Sequence, residues 1–204
     1  MTKIVTDHYT KKEALKPVAT NYLTVNTDAL PRLPGYCRSS YQRFYTVPLL
    51  VYFFSREVIR CQVSPNIYVN AINKEINKLL EGNKEKLDNK QVEIAYTSIP
   101  NAFNHSYKNH FIAVQFLFFG ITISTNKNEM YYPIGFIKLN YVVRDKTTQS
   151  ILKQGELSEQ IPNLYIKKDY NRRRKHFVED FVTLYDNNTT NACQLIAQKL
   201  VNEL

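Results

Sequence analysis

The run Phe111-Ile112-Ala113-Val114-Gln115-Phe116-Leu117-Phe118-Phe119-Gly120-Ile121-Thr122-Ile123 decides what kind of fold this chain can make. It is aromatic and β-branched, which suits a strand. It falls short of the ~20 apolar residues that a membrane-spanning helix needs. Apolar residues fall on both of its sides, so it reads as a central strand of a sheet covered on both faces.

Working outward, the neighbouring segments supply the rest of a sheet. Ile137, Leu139, Tyr141 and Val143 alternate with Lys138, Asn140 and Arg144, the spacing of a half-buried strand. Asp145-Lys146-Thr147-Thr148 turns the chain, and residues 150–157 return as a weaker strand. Val92, Ile94 and Tyr96 alternate with Glu93, Ala95 and Thr97 in the same way. Residues 44–55 and 58–63 are strand-like, with Pro48 expected at a strand start or on an edge because it cannot donate to a ladder.

Two helical patterns flank these strands. After Ser64-Pro65-Asn66, residues Ile67, Val69, Ala71, Ile72, Ile76, Leu79 and Leu80 recur at mostly three- and four-residue steps, and Gly82 is a natural stop. Near the C-terminus Phe177, Phe181, Leu184 and Tyr185 recur likewise, followed by Cys193, Ile196, Leu200 and Leu204. The phase carries across the polar residues 186–191, so one long helix is expected, with two helices capped at Asn188 or Thr190 as the alternative.

The expected fold is therefore α+β: a mostly antiparallel sheet of five to six strands with helical segments at about 66–82 and 173–203 packed on it. Residues 41–204 form the single domain. Residues 1–40, with Pro17, Pro31, Pro34 and little periodicity, read as an extended N-terminal arm holding one short strand at residues 22–25. Expected core residues are Ile72, Ile76, Leu79, Ile112, Val114, Phe116, Leu139, Tyr141, Phe181, Ile196 and Leu200.

At 204 residues, 44% hydrophobic and 22% charged, the chain excludes a fully disordered protein. Net charge is +9. Much of it sits in Lys167-Lys168-Asp169-Tyr170-Asn171-Arg172-Arg173-Arg174-Lys175-His176, a run with six fixed positive charges and one negative. Lys167, Lys168, Arg172, Arg173, Arg174 and Lys175 are thus candidate ligands for an anion: nucleic-acid phosphates, an anionic membrane surface or an acidic partner. The plainer account is a solvated start to the C-terminal helix, although cations sit at the unfavourable end of the helix dipole there.

Catalytic and metal-binding motifs are missing. There is no GxSxG, GxxxxGK[ST] or GxGxxG, and 5 glycines leave little for a phosphate cradle. His105 and His110 fall five apart on what reads as a polar loop, without a third ligand nearby. Glu179 and Asp180 are adjacent on a helix and point apart, a poor acid–base pair. The expectation is no enzyme, no metal and no cofactor. Cys37, Cys61 and Cys193 form no CxxC pair; Cys193 falls in a helical stripe as a small apolar residue, and one Cys37–Cys61 bridge is allowed. Tyr131 and Tyr132, at a strand-to-strand connection, are the most interface-like aromatic pair.

The order of an N-terminal strand, a strand–helix unit, a strand meander and a long C-terminal helix, with the closing pattern Ala192, Ile196, Leu200, resembles the small domain of auxiliary envelope lipoproteins of Gram-negative bacteria, over residues 45–204. The resemblance is one of topology and carries over no site residue. Residues 1–15 are polar and hold no signal-peptide core, which makes the cytoplasm the default expectation; a trimmed envelope or secreted protein would read the same.

These features point first to a non-catalytic interaction or structural subunit of an assembly, with an anion-binding protein as the alternative. If both helices cover one face, apolar residues such as Phe119 or Ile121 stay unshielded unless the arm or a partner covers them. Self-association or a protein partner is therefore expected, and no integral membrane segment.

Overall fold

The computed structural model describes residues 2–13, 23–31, 36–46, 50–116, 119–169 and 174–204, for some of them the backbone alone. In chain order these form α1 (Thr2–Glu13), β1 (Leu23–Asn26), β2 (Tyr36–Thr46), β3 (Leu50–Gln62), α2 (Asn66–Glu81), β4 (Lys90–Ser98), β5 (Ala102–Phe116), β6 (Phe119–Tyr132), β7 (Gly135–Asp145), β8 (Ile151–Ile161), β9 (Leu164–Asp169) and α3 (Arg174–Glu203). The architecture is α+β with mostly antiparallel strands, as expected. The strands make two sheets rather than one, in the orders β1-β4-β7-β8 and β2-β3-β5-β6-β9.

The smaller sheet is the floor of the body. Val92, Ile94 and Tyr96 of β4 and Ile137, Leu139, Tyr141 and Val143 of β7 alternate into its buried face. Their partners across β4 and β7 are polar or half-exposed, so one face alone packs. α2 and α3 lie side by side on that face, meeting it through Ile72, Ile76, Ile196 and Leu200, all fully buried. Pro65 sits at the N-cap of α2, where its missing N–H costs nothing.

α3 is one helix of 30 residues. Its polar middle stays helical because the buried Thr189 hydroxyl donates to the Tyr185 carbonyl at 2.9 Å, as an i−4 bond, instead of capping a new helix. At 1.5 Å per residue it is ~45 Å long. Its C-terminal half packs on the smaller sheet, while Phe177, Phe181 and Tyr185 reach the base of the larger one.

Two departures from the sequence reading stand out. Residues 2–13, read as part of an extended arm, form α1. Val5 and Tyr9, one turn apart, are buried against the body, and Asp186 of α3 receives His8 at 2.7 Å, the Tyr9 hydroxyl at 3.2 Å and the Lys12 ammonium. β1 pairs in parallel with β4, and β2 runs through the expected boundary at residue 40. In the expected core, Leu79 and Ile112 are only half-buried, and the side chains of Val114 and Phe116 lie outside the described residues. The other expected core residues are buried.

Candidate docking surface

β2, β3, β5 and β6 run to 11, 13, 15 and 14 residues, about twice the commonest strand length. The β3–β5 ladder pairs continuously from Gln62↔Ala102 to Leu50↔Val114. At ~3.4 Å per residue β5 is ~48 Å long. The result is a ribbon whose base belongs to the body and whose far end does not.

The base is closed. Ile59, Cys61, Phe103, His105, Met130 and Tyr132 share the inner face and are each no more than 2% exposed. Phe103 meets the rings of Phe181 at 5.4 Å and Tyr185 at 5.3 Å, Tyr132 meets Tyr185 edge-to-face at 4.9 Å, and His105 meets Phe177 at 5.9 Å. These rings clamp the ribbon to the N-terminal half of α3.

The far end is open. On the outer face Phe44, Phe54, His110 and Thr125 stand in one cross-strand row, Ile112 and Ile123 in the next, and Ile121 beyond them. Phe44 is 55% exposed, Ile123 55% and Ile121 60%. Neither residues 44–54 nor residues 110–126 contain Asp, Glu, Lys or Arg. β2 leaves this end at Thr46 and β3 returns at Leu50, while β5 leaves at Phe116 and β6 returns at Phe119. The intervening sequences, Val47-Pro48-Leu49 and Leu117-Phe118, are apolar too, and their placement lies outside the described residues.

One step toward the body the outer face turns cationic. Arg56, Lys108 and Lys127 share a row, with Arg38 and Arg60 two positions further down. Arg38, Arg56 and Arg60 are exposed, Arg56 donates to Ser106 at 3.4 Å, and Lys108 pairs with Glu129 at 2.9 Å. On the opposite face the Arg43 guanidinium lies 4.6 Å from the Tyr41 ring, and its hydrogen bond is the main cause holding the Tyr41 hydroxyl below its ordinary pKa.

The sequence-derived candidates fall differently. Lys167 and Lys168 belong to β9, with their backbones opposite Glu129 and Asn128 of β6, so they are not part of a helix start. Arg174 and Lys175 open α3. The side chains of these four, and Arg172 and Arg173 altogether, lie outside the described residues. Tyr131 is 41% exposed at the end of β6, whereas Tyr132 is 1% exposed and belongs to the core, not to an interface. His105 and His110 lie on β5 rather than on a loop and point to opposite faces of it. Among the described residues no group of three potential metal ligands forms.

A cleft of about 240 Å³ between the helices is lined by Lys12, Tyr68, Lys74, Asp186, Thr189 and Cys193, among others. Its chemistry is structural. Asp186 is engaged by α1, the Tyr68 hydroxyl donates to that of Tyr185 at 2.8 Å, and burial pushes the Cys193 thiol up to about 12, far from a thiolate at neutral pH. Cys193 is free and buried, as expected. Cys61 is disulfide-bonded, and Cys37 stands directly opposite it in the β2–β3 ladder.

Comparison with known proteins adds no relative: no family model, curated protein or solved structure matches the chain. Among the described residues no helix is long and apolar enough to cross a membrane. The sequence points to Phe119 or Ile121 as unshielded only if both helices share a face, and the Phe119 side chain lies outside the described residues. It does not point to Phe44 or the arginines beneath it. Their signal is two charge-free stretches, each bordered by basic residues at matching strand positions.

Proposed function

We propose that this chain is a non-catalytic docking module, in which a helix-covered body presents the far end of a long β-ribbon to another surface. The observation that carries this is the outward exposure of Phe44, Ile121 and Ile123 on a sheet end that contains no charged residue. Exposed contiguous apolar surface of this kind marks an interaction site. The helix-lined cleft, whose polar groups are held in structural contacts, and the buried Cys193 thiol lend no support to catalysis. The disulfide at Cys61 supports an oxidising compartment, in place of the cytoplasmic default.

The test is the variant Phe44→Ser/Ile121→Ser/Ile123→Ser. All three side chains are exposed, so its circular dichroism and melting temperature should match the parent chain. Association should be lost, read as concentration-dependent sedimentation in solution and as co-flotation with lipid vesicles. A parent chain that neither self-associates nor floats would overturn the docking reading.

A further inference from the structure

We infer that the outer face of the ribbon's base is a binding surface for single-stranded nucleic acid. This surface is separate from the apolar end, and the inference does not rest on the docking reading above.

The inner face of the base is closed by α3, but its outer face is open. Arg38, Arg60, Asn104, Tyr131 and Tyr165 stand opposite one another on β2, β3, β5, β6 and β9, one row across all five strands of the larger sheet. Every one of them is exposed, Tyr131 by 41% and Tyr165 by 55%. At ~4.8 Å per strand the row is ~19 Å long, with two guanidinium groups on one side and two neighbouring phenol rings on the other. Two rows nearer the open end, Arg56, Lys108 and Lys127 continue the positive charge on the same face. Glu129 is the one carboxylate among the described side chains of that face, and Lys108 already pairs with it at 2.9 Å.

Cations and rings on one open face match a single strand. The cations follow the phosphates, and each exposed ring takes the π-face of a base that a duplex would keep stacked within itself. Rings on an uncovered antiparallel sheet are a recurrent means of holding unpaired bases. An acidic protein would use the cations alone. Its interface would also want an apolar centre, whereas the middle of this row is Asn104, whose amide offers both a donor and an acceptor to a base edge.

Fluorescence anisotropy with the intact, unreduced chain tests this. The probes are a labelled oligothymidylate of about 20 nucleotides, longer than the site of a typical single-strand-binding domain, a duplex of equal length and polyglutamate. The parent chain should bind the single strand most tightly, and less as salt is raised. Tyr131→Ala/Tyr165→Ala should weaken that binding about thirtyfold, with an unchanged melting temperature and an unchanged salt dependence, while Tyr131→Phe/Tyr165→Phe keeps the rings and should bind like the parent. Arg38→Gln/Arg60→Gln should weaken binding and lower the slope of log affinity against log salt by about 1.4, at ~0.7 for each charge.

No binding of the oligothymidylate at low salt overturns the inference. Duplex or polyglutamate bound as tightly as the single strand also overturns it, as does a Tyr131→Ala/Tyr165→Ala chain that binds like the parent; the face is then a general anion patch. The docking reading, tested at Phe44, Ile121 and Ile123, stands or falls separately.

Discussion

Truncating Phe103 should cost far more than truncating Phe44, although both are phenylalanines on the same sheet. Phe103 is 1% exposed and touches the rings of Phe181 and Tyr185 at 5.4 and 5.3 Å, with Tyr9 at 6.3 Å. Phe103→Ala removes a ring from the clamp that holds the ribbon to α3 and α1. A buried Phe→Ala change costs ~3–5 kcal/mol, because the surrounding rings close only partly over the space left behind. At ~2–4 °C per kcal/mol for a chain of this size, the melting temperature should fall by about 6–20 °C. Phe44 is 55% exposed, so Phe44→Ala should stay within about half a kcal/mol. Thermal and urea unfolding followed by circular dichroism would measure both. Equal losses would refute the division into a packed base and an open end. A loss below about 1 kcal/mol for Phe103→Ala would refute the clamp itself.

The remaining predictions concern α1, the cysteines and the end of α3. Asp186→Asn weakens the contacts with His8, Tyr9 and Lys12 and should cost about 2 kcal/mol, with faster tryptic cleavage at Lys11 and Lys12 as the local readout. Thiol titration of the denatured, unreduced chain should find one reactive cysteine, rising to all 3 after reduction, and the native chain should react only as fast as it unfolds. A native thiol reacting at once would contradict the burial of Cys193. Lys153 and the Tyr141 hydroxyl hold the Glu203 carboxyl below its ordinary pKa of 4.5. Its contribution is therefore complete above that value and fades as pH falls through the lowered one. Hydrogen exchange in the last turn of α3 should accelerate over that acid range, and Glu203→Gln should flatten the dependence.

The body was readable from sequence because its elements are half-buried. β7 shows a period of two, α2 a helical stripe, and the phase of α3 survives its polar middle because Thr189 bonds within the helix. α1 was missed in a polar stretch whose one usable signal was Val5 and Tyr9 at a four-residue step. The run at 111–123 was read correctly as β-structure and wrongly as one central strand. It supplies two antiparallel strands, β5 and β6, paired from Phe116↔Phe119 onward, and the sequence Leu117-Phe118 between them holds no turn-forming residue type to announce it. Periodicity tells which residues share a face; it does not tell whether anything covers that face. Ile121 is exposed because β6 extends beyond the helices, whereas the sequence leaves open whether two helices share one face of a single sheet or cover one face each. The polar sequence at 104–110 looked like a connection for the complementary reason: it lies in the zone where the ribbon passes from body to solvent, and only His105 at its inner end is fully buried.

The edges of the ribbon constrain how the open end can be used. β2 is the outermost strand on one side, and β9 pairs with β6 only between Lys127 and Tyr132, so residues 119–126 of β6 form the other edge among the described residues. In water such edges are hydrated, and the nearby cations of β2 and β3 discourage pairing with another sheet. Docking therefore runs through the outer face that carries Phe44, Ile121 and Ile123 rather than through the edges. Cysteines placed on β2 and on residues 119–126 of β6 should form no crosslink between copies in solution, and efficient crosslinking there would break the argument.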